Sequence, residues 1–312
     1  MENANANGTA WAPRDQVLPF RLGPLHLARV HFRALSLETP FIELPHDIDA
    51  THVELNDFRG YEAAVILGHP VDQERRWFRF SGRSLRYCSF TETRFLVELG
   101  GTFADYMKKF SAKRRHNFLR TVKKFSEFAD GDLGFKTFSS VEEIVKFHEL
   151  AIAISRKTYQ SEKGFGFQES EEFRAHLVSE AEQGRVRGYV LYCKGVPVSY
   201  IFCRLRNTTI FYTHIGYDPE FGKFSPGIVA LYMLLESLFE EGRFAYLDFF
   251  GGQYWQYKQV YSTLSIRSVT VYYLPASPKN IAIVFSHAAV RCLEKAGVYM
   301  LRLFRRPETE KA

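Results

Sequence analysis

The sequence predicts an α+β fold: a mixed, mostly antiparallel sheet flanked by helices, with a strand-rich lobe ahead of it. Three observations lead there. The runs 187–193, 196–205 and 208–217 are strand-like and joined by short turns, one holding Lys194-Gly195 and the next Asn207, as in antiparallel hairpins. A helical pattern over 226–241 then separates the last of these from a fourth strand-like run, 244–250, a crossover that sets strands parallel. The chain has no G-x-G-x-x-G, so a doubly wound dinucleotide fold lacks its signature.

Residues 1–15 are polar and unpatterned and read as a disordered lead. From residue 16 to about 100, β-branched and aromatic runs such as His52–Leu55, Ala63–Leu67 and Trp77–Phe80 alternate with turn signals such as Gly68-His69-Pro70, giving the strand-rich lobe. Residues 101–278 then form the main domain. Phe103, Tyr106, Met107 and Phe110 have helical spacing, as do Phe118, Val122, Phe125 and Ala129. Leu133–Phe138 reads as a strand, and Ser140 opens a helix whose first turn carries Glu142 and Glu143, where the helix dipole favours acids. A further helix spans about Ser170–Glu182. The helix after Ser225-Pro226 stops at Gly242, a residue that tolerates the left-handed turn after a helix. Phe244–Phe250 is a strand, Tyr254–Tyr261 a short helix, and Arg267–Leu274 the last strand. Residues 279–312 form an amphipathic helix and tail with Ile281, Val284, Phe285, Ala288, Cys292 and Ala296 in one stripe.

Bulk properties narrow the function. The 312 residues are 46% hydrophobic and 16% aromatic, enough for a large core. The net charge of +6 favours anionic partners. No apolar run approaches the ~18 residues of a membrane span. The N-terminus lacks a secretory pattern, so the expected location is cytoplasmic. The four cysteines make no C-x-x-C pair and suit a reducing compartment. Walker A, H-E-x-x-H and G-x-S-x-G are also missing, and no metal is expected.

Three clusters could carry chemistry. Tyr217-Asp218-Pro219 leads to Lys223, Ser225, Pro226, Gly227 and Ile228 at a helix start. Free backbone N–H groups and the positive helix end there suit a phosphate, although a well-capped helix explains the same residues. Asp248 closes a strand and is followed by Gly251-Gly252, Tyr254, Tyr257 and Lys258. An acid at a strand's carboxyl end can take a proton from an ammonium nucleophile, and a nearby tyrosine can protonate a leaving thiolate. A helix-capping Asp and core tyrosines are the plainer account. The run Lys108–Lys124 holds eight Lys and Arg and no acid. It is either a solvated helix face or, through Arg114 and Arg115, a site for an anionic acceptor. By strand alternation, His214 shares a face with Tyr212 and is a second candidate base, or a packed histidine.

In this order the pieces resemble the CelD-like branch of the GNAT acyltransferases. Ser111–Arg120 resembles its basic helix, Tyr217-Asp218-Pro219 with Ser225-Pro226-Gly227 its strand–turn–helix signature, and Asp248-Phe249 with the glycines and Tyr257-Lys258 its closing motif. The likeness runs from about Phe103 to Thr263. The usual GNAT pyrophosphate motif is absent, with Gly222 and Gly227 standing in part for it. The resemblance implies a GNAT-type fold, with the N-terminal lobe as a degenerate copy, and an acyl-CoA donor, acetyl-CoA first. It also implies kinship with the FemAB group and a tie to cell-envelope or exopolysaccharide metabolism. Asp248, Tyr257 or Tyr254, and His214 would be catalytic. Lys223 to Ile228 would hold the donor, and Arg114, Arg115, Tyr212, Gly252 and Lys258 the acceptor. Two other classes stay open: a FemAB-like transferase using aminoacyl-tRNA, and a non-catalytic binding protein of the same fold. The C-terminal helix either docks on the N-terminal lobe or makes peripheral contact with an anionic membrane.

Overall fold

A computed structural model of the chain describes residues 11–23, 25–37, 60–71, 77–158, 166–249 and 256–304. Strands β1 (Trp11–Leu22), β2 (Leu25–Leu37), β3 (Ala63–Pro70), β4 (Phe78–Ser81) and β5 (Ser84–Glu98) come first. Helices α1 (Phe103–Lys108) and α2 (Ala112–Phe128), strand β6 (Leu133–Phe138), and helices α3 (Val141–Ser155) and α4 (Glu171–Glu182) follow. Strands β7 (Val186–Cys193), β8 (Val196–Arg206) and β9 (Thr209–Tyr217) lead through a 3-10 turn, Pro219–Phe224, into α5 (Pro226–Glu241). Strand β10 (Tyr246–Asp248), helix α6 (Gln256–Tyr261), strand β11 (Leu264–Pro275) and helix α7 (Pro278–Phe304) complete the order.

The chain divides into two compact units, Met1–Thr93 with Ile266–Ala312, and Arg94–Ser265. In the first, β1 and β2 form a long antiparallel hairpin, β2 pairs parallel with β3, β3 antiparallel with β11, and β4 antiparallel with β5. Trp11–Asp15 belong to β1 rather than to a disordered lead, because they pair with Leu37–Arg33 and so give their polar backbone groups partners. The run His52–Leu55 lies outside the described residues. Leu18, Phe20, Phe32, Leu85, Tyr87 and Leu274 form a core closed by Val284 and Ala288 of α7. His287 of that helix is buried between the Tyr87 hydroxyl and the Pro19 carbonyl. A carbonyl can only accept, so Nε2–H donates to Pro19 and Nδ1 accepts from Tyr87.

In the second unit the strand order is β10, β9, β8, β7, β6, with residues 94–98 of β5 beside β10. The pairings are antiparallel except β10 with β9, which the α5 crossover makes parallel. This is the expected mixed, mostly antiparallel sheet flanked by helices. One face packs on α1, α2, α5 and α6 through Tyr106, Phe110, Phe125, Leu231, Leu235 and Tyr261. The other packs on α3 and α4 through Phe147, Ile154 and Leu177. Helix α3 starts with a reciprocal cap. Ser140 Oγ accepts from the Glu143 N–H at 3.3 Å, and the Glu143 carboxylate accepts from the Ser140 N–H at 3.0 Å.

Candidate functional site

Strand β9 starts with both edges held. Thr209–Phe211 pair with Tyr246–Asp248 of β10 on one side and with β8 on the other. Beyond Phe211, β9 continues to Tyr217 on β8 alone, among the described residues. The described β9–β10 pairing therefore ends at Phe211 and Asp248. At the same place the β8 register slips: Cys203 faces Tyr212 and Phe202 faces His214, leaving Thr213 as an extra residue. Its Oγ1 donates to the Phe202 carbonyl at 2.9 Å. Such a bulge redirects the side chains after it. Tyr212 joins the core on the α5 side. His214 instead meets Phe167 edge-on at 5.5 Å and lies 5.9 Å from Phe202, on the α3 side. The shared face expected from simple alternation is thus lost to one inserted residue. Burial pushes His214 down to about 4, with Arg204 adding to the effect, so its ring is neutral.

The start of α5 also departs from expectation. Asp218 is buried and accepts from the Glu220 N–H at 3.1 Å and from Lys157 Nζ at 2.6 Å, which fixes the 3-10 turn. That turn delivers Ser225 with φ +53°, in the left-handed region, and its side chain makes no capping bond. The Ser225 N–H donates to Gly222 at 3.0 Å and the Ile228 N–H to Ser225 at 2.9 Å, while Pro226 has no N–H. The cradle of several amides shrinks to the Gly227 N–H, the one amide of 225–228 with no protein partner among the described residues. Lys223 places its ammonium 5.0 Å from the Phe224 ring centre. Pro226 is buried and Ile228 exposed.

On the α5 side of the end of β10, Phe249 sits edge-on between Tyr212 at 5.4 Å and Tyr257 at 6.4 Å. Burial pushes Tyr257 up to about 12, moderated by its contact with the Tyr212 hydroxyl. Lys258 donates to the Phe249 carbonyl at 2.7 Å, which ties α6 to the end of β10. Leu247 and Phe249 belong to this core, so strand alternation turns Asp248 to the opposite face. There it is 0% exposed and ion-paired with Arg94, itself 3% exposed and set over the Phe211 ring at 5.7 Å. The pair joins β5 to β10 beside the last two-sided pairing of β9. Asp248 and Tyr257 therefore lie on opposite faces of the sheet at the end of β10. Tyr254 and Gly252 lie outside the described residues.

The basic helix divides by role. Arg115 donates to the Phe110 carbonyl at 2.6 Å and closes the end of α1. Lys109 donates to the Tyr261 carbonyl at 2.7 Å and to Ser262 at the end of α6. Burial brings Lys109 down to about 8, with Arg114 adding to the effect. Lys113, Arg114, Arg120, Lys123 and Lys124 are exposed.

Arg94 was missed by sequence reasoning. Its signal is a single cation in the run Arg94-Phe95-Leu96-Val97, where a buried charge calls for a carboxylate.

Comparison with known proteins bears on the fold. Residues 112–259 match the family model described as an acetyltransferase (GNAT) domain. Among solved structures, FemX superposes with a TM-score of 0.53 at 12% identity, over 87% of this chain and 90% of that chain. L-PGS from Bacillus licheniformis gives 0.48 at 13% identity, over 84% and 85%. No curated protein matches. The segment 112–259 is thus similar in sequence to a GNAT acetyltransferase domain, and the fold is of the GNAT type.

Proposed function

We propose that the protein transfers an acyl group from an acyl-CoA, acetyl-CoA first, to an amine acceptor, as in the CelD-like branch. The observation that carries this is the end of the described β9–β10 pairing at Phe211 and Asp248, with the Thr213 bulge beside it and α5 following β9 through the 3-10 turn. A thioester laid along β9 beyond Phe211 would accept a hydrogen bond from the strand. One such donor to a developing oxyanion is worth about 3 kcal/mol. Lys223 and the Gly227 N–H would hold the donor's phosphates. Tyr257 holds its proton across the working pH range and can deliver it to the leaving thiolate. The amine then approaches from the opposite face, where the Arg94–Asp248 pair fixes the strand ends. In this arrangement Asp248 positions the site through Arg94 and does not act as a free base.

The test is calorimetry with CoA and a panel of acyl-CoAs, followed by mass spectrometry of the reaction with amine acceptors. Binding with transfer supports the proposal, and the absence of any acyl-CoA binding sinks it. A second reading, transfer from aminoacyl-tRNA, is favoured by one observation: the exposed row Lys113, Arg114, Arg120, Lys123 and Lys124. It requires salt-dependent tRNA binding that falls when Arg114 and Arg120 are neutralised.

A further inference from the structure

Helix α7 is apolar on two sides. Its inner side, with Ile281, Val284 and Ala288, belongs to the core of the first unit. Its outer side presents Ala282, Phe285, Ala289, Cys292, Leu293 and Ala296 to solvent. Phe285 is 44% exposed and Leu293 64% exposed. A helix that is apolar all round is normally covered on all sides. The patch continues onto the neighbouring hairpin. The Phe78 ring of β4 lies 4.8 Å from that of Phe285, and Phe80, on the same face of β4 by alternation, is 49% exposed.

Exposed cations adjoin the patch among the described residues. Arg79 and Arg83 are exposed in the same hairpin, and the Arg83 carbonyl accepts from the Ala276 N–H at 2.7 Å, which brings it to the start of α7 beside exposed Lys279. The described acid of α7, Glu294, is paired with Arg291. No described helix is long and apolar enough to cross a membrane. Exposed aromatic and aliphatic side chains rimmed by cations fit a surface that is apolar below and anionic above.

We infer that Phe78, Phe80, Phe285 and Leu293, rimmed by Arg79, Arg83 and Lys279, dock the protein on an anionic lipid bilayer. The aromatic rings enter the headgroup boundary and the cations meet lipid phosphates. This surface is independent of the acyl-transfer reading.

Vesicle co-sedimentation of the full chain tests it, using phosphatidylcholine alone and phosphatidylcholine with about one-third phosphatidylglycerol. The protein is expected to bind the mixed vesicles at least ~10-fold more tightly than the neutral ones, with the difference falling as salt rises. The double variant Phe78→Ser/Phe285→Ser is expected to lose ~10-fold or more in partitioning, and Arg83→Glu/Lys279→Glu to lose the preference for anionic lipid. Both change exposed side chains, so far-UV circular dichroism and the melting temperature should stay at wild-type values. Leu119→Ser, equally exposed on α2, serves as the control and should bind as wild type. The inference is overturned if the wild type ignores anionic vesicles, or if the Phe variant binds as well as the wild type. It also fails if that variant dissociates a dimer in sedimentation equilibrium without changing lipid binding.

Discussion

The two halves of β9 obey different rules. Over Thr209–Phe211 the strand is paired on both edges, its side chains alternate, and its neighbours Leu247 and Asp248 point where a period of two sends them. Over Tyr212–Tyr217 it pairs with β8 alone among the described residues, has gained an extra residue, and has turned His214 away from Tyr212. The first half can be read as a piece of sheet. The second half is where a ligand can replace a strand, and the polar residues sort themselves to its two sides: tyrosines toward α5, the buried ion pair and His214 toward α3.

That contrast can be broken most severely at the ion pair. Arg94→Leu takes the cationic partner from the buried Asp248 carboxylate, and should cost about 3–5 kcal/mol in urea unfolding. The double variant Arg94→Leu/Asp248→Leu should recover much of that loss. If the single variant unfolds like the wild type, the pair does not hold the strand ends.

Tyr257→Phe tests the opposite side. It should lower acyl transfer by about 100-fold, the usual scale for a lost general acid, with the melting temperature little changed. A hydroxyl pushed up to about 12 also predicts no alkaline decline from this residue at the pH of an ordinary assay. A decline centred near pH 8 in the wild type, absent from Tyr257→Phe, would contradict the assignment.

The one-sided half of β9 is held to β8 by close approach. A Cβ on Gly216 would come within 2.3 Å of the Tyr200 ring, so Gly216→Ala should destabilise by about 1–3 kcal/mol. Tyr200→Leu in the same chain should relieve part of that cost; no relief would mean the strain lies elsewhere.

The smallest effect concerns His214, whose Nδ1 is buried without a hydrogen-bond partner among the described residues. Its folded value of about 4 lies below the ordinary 6.5, so the unfolded chain binds more protons between those values. The contribution of His214 to stability is full above pH 6.5 and is lost as pH falls toward 4. His214→Phe should flatten that part of the melting-temperature profile, leave acyl transfer within about 2-fold, and raise stability by up to about 1 kcal/mol. A transfer rate that collapses in His214→Phe would return the histidine to the reaction.

Much of the architecture was legible in the sequence where local chemistry decides it. The boundaries of β6, the Ser140 cap with its acids, and the stop of α5 at Gly242 follow from capping, periodicity and turn residues close in the chain. The grouping of candidate residues was legible in part. Tyr212, Phe249, Tyr257 and Lys258 do come together, and Asp248 does end its strand. Three things had no local signal. Arg94 meets Asp248 across 154 residues of sequence, which no motif spans. The left-handed Ser225 arises from the 3-10 turn before it and not from its own preference. The Thr213 bulge carries no glycine or proline to mark it; only the pairing with β8 shows which residue is surplus.

Thr213 has a practical consequence for anyone reshaping the cleft. Positions Tyr212 and His214 are two apart in the chain yet face different compartments, so a library that varies them together mixes two unrelated experiments. Transferring a design from a cousin whose strand lacks the insertion would exchange the compartments for every position as far as Tyr217. The offset must be settled before any residue there is chosen.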